Sequence, residues 1–194
     1  MELSQLSIKC LANMPMLTDA MAKAMNELYN ILESYYEEYC ELLGKNIISN
    51  KRTGFRLGEK NTRGINTFGE TPLLLEEIME LYFVIPFYQD VKTNPKSFSI
   101  EFGYVVYNTQ NFLYFQLSEK SETSFIEGLL QSKDFIKSKS LSQEYQYGNS
   151  GGEEKEKSIW IEFIVDETFS LNKIKTCSEL FKTNILMPIL NQLK

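Results

Sequence analysis

Residues 98 to 118 constrain the fold more than any other stretch. FSIEFGYVVY and FLYFQLS flank the polar tetrapeptide NTQN. Phe98, Ile100, Phe102, Tyr104 and Val106 alternate with Ser99, Glu101, Gly103, Val105 and Tyr107. A period of two sends alternate side chains to opposite faces of a strand. Two such runs across a short polar turn predict a β-hairpin. SIWIEFIV, 158 to 165, predicts another strand, and apolar residues on both of its faces place it inside the sheet. The 13 Phe and 11 Tyr residues agree with a large β component, because aromatic side chains suit pleated, half-buried surfaces.

A sheet with an apolar face needs a cover. Leu17, Met21, Met25, Leu28, Leu32, Tyr35, Tyr39 and Leu42 follow one another at steps of three and four. That spacing is the stripe of a packed helix. Asn13 ahead of Pro15 predicts its start, and Gly44 its stop. The stripe serves either the domain's own sheet or a seam between two copies. The sheet's need for a cover favours a monomer over a homodimer.

Between the helix and the hairpin the reading is coarser. Residues 45 to 70, rich in Gly, Asn, Thr and basic residues, predict a loop or irregular hairpin. Thr71 and Pro72 could open a helix, whereas LYFVIPFY is β-like, and periodicity does not place the boundary. Beyond the hairpin, Ser124 and Glu127 have capping-box spacing and predict a helix near 124 to 137, weakened by Gly128. Residues 140 to 157 contain GNSGGEEKEK and predict a mobile surface loop. Ser170 caps a last helix with a stripe of Ile174, Cys177, Phe181 and Ile185; Pro188 should kink or end it near residue 184. Together these elements predict one α+β domain over residues 1–194. Its mainly antiparallel sheet, the 98–118 hairpin plus 158–165, packs against the long N-terminal helix and the C-terminal helix.

The chain contains no histidine. Histidine is the usual general base near neutral pH and the commonest metal ligand. Its absence removes Ser-His-Asp and Cys-His catalysis and histidine-ligated zinc chemistry. Cys10, Cys40 and Cys177 are far apart and form no CxxC, so they predict neither a disulfide framework nor a zinc knuckle. A Mg²⁺ nuclease core needs an Asp and, one strand later, Glu-x-Lys. Here Asp90 precedes Glu101, but Gly103 stands in the lysine position, and Glu119 and Lys120 are adjacent. The pattern is not met, and no metal or other cofactor is expected.

One stretch runs against a net charge of −6: NKRTGFRLGEKNTRG, residues 50 to 64. It holds Lys51, Arg52, Arg56, Lys60 and Arg63 with Gly54, Gly58 and Gly64. Neither GxxxxGK[ST] nor GxGxxG occurs in it. The run is therefore read as a solvated loop, or as the site for an anion or acidic partner if it has a function. Glu162, mid-strand among apolar residues, would need a partner if buried. Trp160, Tyr104, Tyr107, Tyr114 and Phe115 are either sheet core or an exposed recognition face.

With no catalytic motif, the chain is expected to be a small acidic protein-interaction module, of inhibitor, immunity or regulatory type. Its partner would be another protein. The alternative is a module that binds or processes nucleic acid or nucleotides through residues 51 to 63. No membrane span or secretory signal is read, so a cytoplasmic location is expected.

Overall fold

The computed structural model describes residues 5–47, 52–57, 77–89, 96–107, 110–120, 124–141, 144–151 and 156–192. Helix α1 spans Gln5–Leu43. Strands β1 (Arg52–Leu57), β2 (Glu77–Gln89), β3 (Lys96–Tyr107) and β4 (Gln110–Lys120) follow. Two short helices, α2 (Phe125–Leu130) and α3 (Lys133–Leu141), lead to β5 (Gln146–Gly151) and β6 (Glu156–Ile164). The chain closes with α4 (Leu171–Phe181), a π-helical turn (Lys182–Leu186) and α5 (Met187–Gln192).

The six strands form one antiparallel sheet in the order β1-β2-β3-β4-β6-β5. The fold is α+β, with the hairpin and residues 158–164 in the same sheet. β6 lies between β4 and β5, inside the sheet as its sequence predicts. Pro86 sits in β2 beyond the last β1 pair, Arg52↔Val84, and the next residue, Phe87, bridges to Ile47.

Every core side chain of the sheet projects to one face. Phe83, Phe102 and Phe115 stack across β2, β3 and β4 with ring centroids 5.4 Å apart at each step. Tyr39 of α1 and Phe181 of α4 close over this row, 5.9 Å from each other. The two helices are also joined by a 2.8 Å hydrogen bond between the buried Tyr39 and Ser178 hydroxyls. An ion pair from Lys182 to Glu38 lies at their surface.

The helices differ from expectation at their ends. α1 starts at or before Gln5 and runs through Pro15, although that residue supplies no N–H to the helical ladder. Gly44 does end it, with φ of 55°, the left-handed conformation that glycine adopts without a Cβ penalty. The 124–137 helix is two helices. Ser124 caps the first by accepting from the Glu127 N–H at 3.2 Å. Ser132, not Gly128, marks the break, its hydroxyl accepting from the Phe135 N–H at 3.2 Å. Near residue 184, where the sequence places a kink or end ahead of Pro188, α geometry gives way to the π turn and then resumes through Pro188.

Two stretches, one read as a loop or irregular hairpin and the other as a loop, contain strands. β1 lies within 45–70 and β5 within 140–157. Residues 58–76, including Thr71 and Pro72, and residues 152–155 lie outside the described residues.

Cys177 is fully buried, and burial, with the Glu162 carboxylate adding, pushes its thiol far above the ordinary range. The thiolate is the reactive species, so a maleimide should leave Cys177 unmodified in the native protein and modify it in urea. Cys40 is half-buried and unpaired by disulfide. Mass spectrometry of labelled peptides checks this; native labelling of Cys177 as fast as Cys40 would contradict it.

Candidate functional site

All the described helices that contact the sheet do so from the Phe83–Phe102–Phe115 side. The opposite face is built by the other parity of each strand. Cross-strand register carries one row over all six strands: Gly54, Tyr82, Gly103, Tyr114, Glu162, Gln146. The next row is Arg52, Val84, Glu101, Gln116, Trp160, Gly148. Tyr82, Glu101, Gln116, Trp160 and Glu162 are half-buried on this face, called the open face because no described helix packs on it.

Two glycines have a packing reason here. A Cβ on Gly54 would collide with the Tyr82 ring, and a Cβ on Gly148 with the Trp160 indole. The aromatic rings thus lie flat over the neighbouring strand, where a side chain would stand them up. This gives the open face broad, low aromatic surfaces.

Between them sits a polar cluster. Tyr114 Oη lies 2.8 Å from Glu80 Oε1 and 2.9 Å from Glu101 Oε1. A phenol has one hydrogen and donates to one carboxylate at a time. Glu80 and Tyr114 are buried. Register places Arg56 of β1 beside Glu80, and Arg52 in the row that contains Glu101. Farther along, Gln116 Nε2 donates to Ser118 Oγ at 3.0 Å, and Ser118 and Ser158 share a 2.8 Å hydroxyl bond.

Glu162 is on the same face. Burial pushes its carboxyl above the usual carboxylate range, and a hydrogen bond from Trp160 offsets part of that shift. An acid whose pKa is raised by folding binds more protons folded than unfolded. Its favourable contribution is therefore complete below the unfolded pKa and is lost as pH rises through the folded one. Glu162→Gln should accordingly be more stable than the parent at neutral pH, with the difference shrinking as pH falls through the carboxylate range. Paired urea titrations across that range test this; a Gln variant less stable at neutral pH would show that the charged carboxylate has a stabilising partner.

The expected residues divide as follows. Of the basic run, Arg52 and Arg56 belong to the edge strand β1, while Lys51, Lys60 and Arg63 lie outside the described residues. Of the aromatic set, Tyr114 and Trp160 take the open face, and Tyr104 and Phe115 the covered one. Glu101 and Glu119 occupy opposite faces of the sheet, so they cannot hold one Mg²⁺ between them. Asp90 lies outside the described residues. Among the described residues no three Cys, Asp or Glu side chains are grouped to hold a metal ion. No described helix is long and apolar enough to cross a membrane.

The sequence reading missed the Glu80–Tyr114–Glu101 cluster. Its members sit on three strands, and only register brings them together. The available signal was parity: Glu101 and Gly103 share the face opposite Phe102 and Tyr104.

Chemically the open face offers carboxylate acceptors between aromatic planes. Carboxylates accept from guanidinium and ammonium groups, and aromatic faces attract the same cations. Comparison with protein-family models, with curated proteins and with solved structures found no match.

Proposed function

We propose that the chain is a protein-interaction module whose open sheet face receives a basic segment of another protein. The observation that carries this reading is the half-buried surface of Tyr82, Trp160, Glu101 and Glu162, on which no described helix packs. Tyr and Trp are enriched among the residues that dominate binding energy at interfaces. Acidic groups set among them would favour a basic partner and speed its approach.

The test pairs binding with stability. Trp160 is the only tryptophan in the chain, so its emission reports directly on this face. An Arg-rich peptide should shift that emission, and a Glu-rich peptide of equal length should not. Affinity capture should retain its partners after nuclease treatment and lose them in Trp160→Ala, with the melting curve little changed. Equal capture by the parent and Trp160→Ala would defeat the reading.

A second reading, nucleic-acid or nucleotide binding, draws on the position of Arg52 and Arg56 at alternate places on an edge strand. Arginine forks bind phosphate bidentately. This reading expects capture that depends on nucleic acid, falls steeply with salt and is lost when Arg52 and Arg56 become Gln.

A further inference from the structure

A cleft of about 260 Å³ opens where α1 leaves the sheet. Met25, Leu28 and Ile31 of α1, with Ala24 and Glu27 beside them, form one wall; Tyr104, Leu113, Val165 and Phe169 form the rest. Small-molecule sites run to roughly 300–1,000 Å³, so this volume suits one or two side chains. Phe169 is exposed at its mouth.

Among the residues of α1 whose burial is described, those packed on the core begin at Met25. The twenty residues ahead of that point rise about 30 Å at ~1.5 Å per residue. Ala12, Met16, Ala20 and Ala24 in this arm are all exposed, Met16 by 73%.

Charge divides the helix at the same place. Residues 5–24 carry Lys9, Lys23 and Asp19, a net +1. Residues 25–43 carry Glu27, Glu33, Glu37, Glu38 and Glu41 with no Lys or Arg, a net −5. A parallel pair of these helices would set the acidic halves together. An antiparallel pair would set each acidic half against the other copy's arm.

We propose that a second copy of this chain occupies the cleft, through a two-fold antiparallel pairing of α1 centred near residue 22. That overlap brings the partner's Met16 beside Leu28, at the cleft, and the partner's Ala20 beside Ala24. By symmetry both contacts occur twice. The thioether of the partner's Met16 suits a cleft lined by the Tyr104 and Phe169 rings, since sulfur packs favourably against aromatics. Alanines at the crossing let the two backbones approach. The described core contacts of α1 lie in its second half, and the exposed stripe of Ala12, Met16, Ala20 and Ala24 is what the arm offers for this contact.

Light scattering at high micromolar concentration should return twice the 22.6 kDa chain mass. Ala20→Glu, at an exposed position, should halve that mass with an unchanged circular-dichroism spectrum; Ala24→Glu serves as the second variant. Spin labels at Ala22→Cys, exposed and off the stripe of Ala12, Met16, Ala20 and Ala24, or at Ala12→Cys, with Cys10 and Cys40 replaced by Ser, give the orientation. The axial offset between the two copies' labels is ~0 Å for residue 22 and ~30 Å for residue 12, at ~1.5 Å per residue. A single-chain mass, a dimer that survives both Glu variants, or equally short distances at residues 12 and 22 would each overturn the proposal.

Discussion

Replacing Glu119 with Ala should remove about 3–5 kcal/mol of stability, near the upper end for a single substitution. The carboxylate is 1% exposed. Its Oε1 accepts from the Phe125 N–H at 3.0 Å; its Oε2 accepts from Ser124 Oγ at 2.9 Å and the Ile126 N–H at 3.1 Å. The first N–H groups of a helix lack intrahelical partners, and here a strand residue supplies them for α2. Hydrogen bonds to a charged group contribute roughly 1.5–3 kcal/mol each, and a buried donor left alone costs about 1–3 kcal/mol. Those contributions do not add fully, because the three donors share one acceptor group. Glu119→Gln keeps one oxygen but turns an amide N–H₂ toward a backbone donor, so an intermediate loss is expected. Urea unfolding followed by Trp160 emission measures both. A loss under about 1 kcal/mol for the Ala variant would mean that water replaces the carboxylate at little cost.

Phe115→Ala should cost a similar amount, about 3–5 kcal/mol for truncating a buried Phe. Phe115 is fully buried and joins the layers: its ring lies 5.4 Å from Phe102 in the sheet, 5.9 Å from Tyr35 and 6.1 Å from Tyr39 in α1, and 5.9 Å from Phe181 in α4. Removing it opens a cavity against three elements at once. Phe115→Leu should recover more than half of the loss. The double variant with Phe181→Ala should lose less than the sum of the two singles, because they share one contact and one cavity. Strict additivity would show that the two rings act separately.

The sheet was legible where side-chain parity is clean. In β3 every second residue is a large apolar one, and the register follows from burying that set. β6 was legible instead as a run apolar at both parities. β1 and β5 were hidden because Gly54 and Gly148 punctuate them, and glycine in sequence signals a turn. In the folded chain both glycines make room for an aromatic ring on the next strand. No local rule contains that information, since the ring is many residues away. The capping box at Ser124 was legible, being local. Glu119's role was not, since it sits on a strand and its partners open the following helix. For the candidate site, Glu162 and Trp160 stood out as oddities of one strand, whereas Glu80 and Tyr114 look ordinary until β2, β3 and β4 are aligned.

The π turn at Lys182–Leu186 has a bearing on the history of the chain. A π turn holds one residue more than the α turn it replaces, so it is what a one-residue insertion in a helix leaves when both flanks keep their packing. Ahead of it Ile174, Cys177 and Phe181 face the core; within it Ile185 and Leu186 do, and after it Ile189. Deleting a single residue from 182–186 would restore α geometry but turn everything beyond by about 100° relative to the flank before it. Ile189 would then leave the core. The extra residue is thus locked in: once the segment after it has packed, losing it is no longer a neutral step.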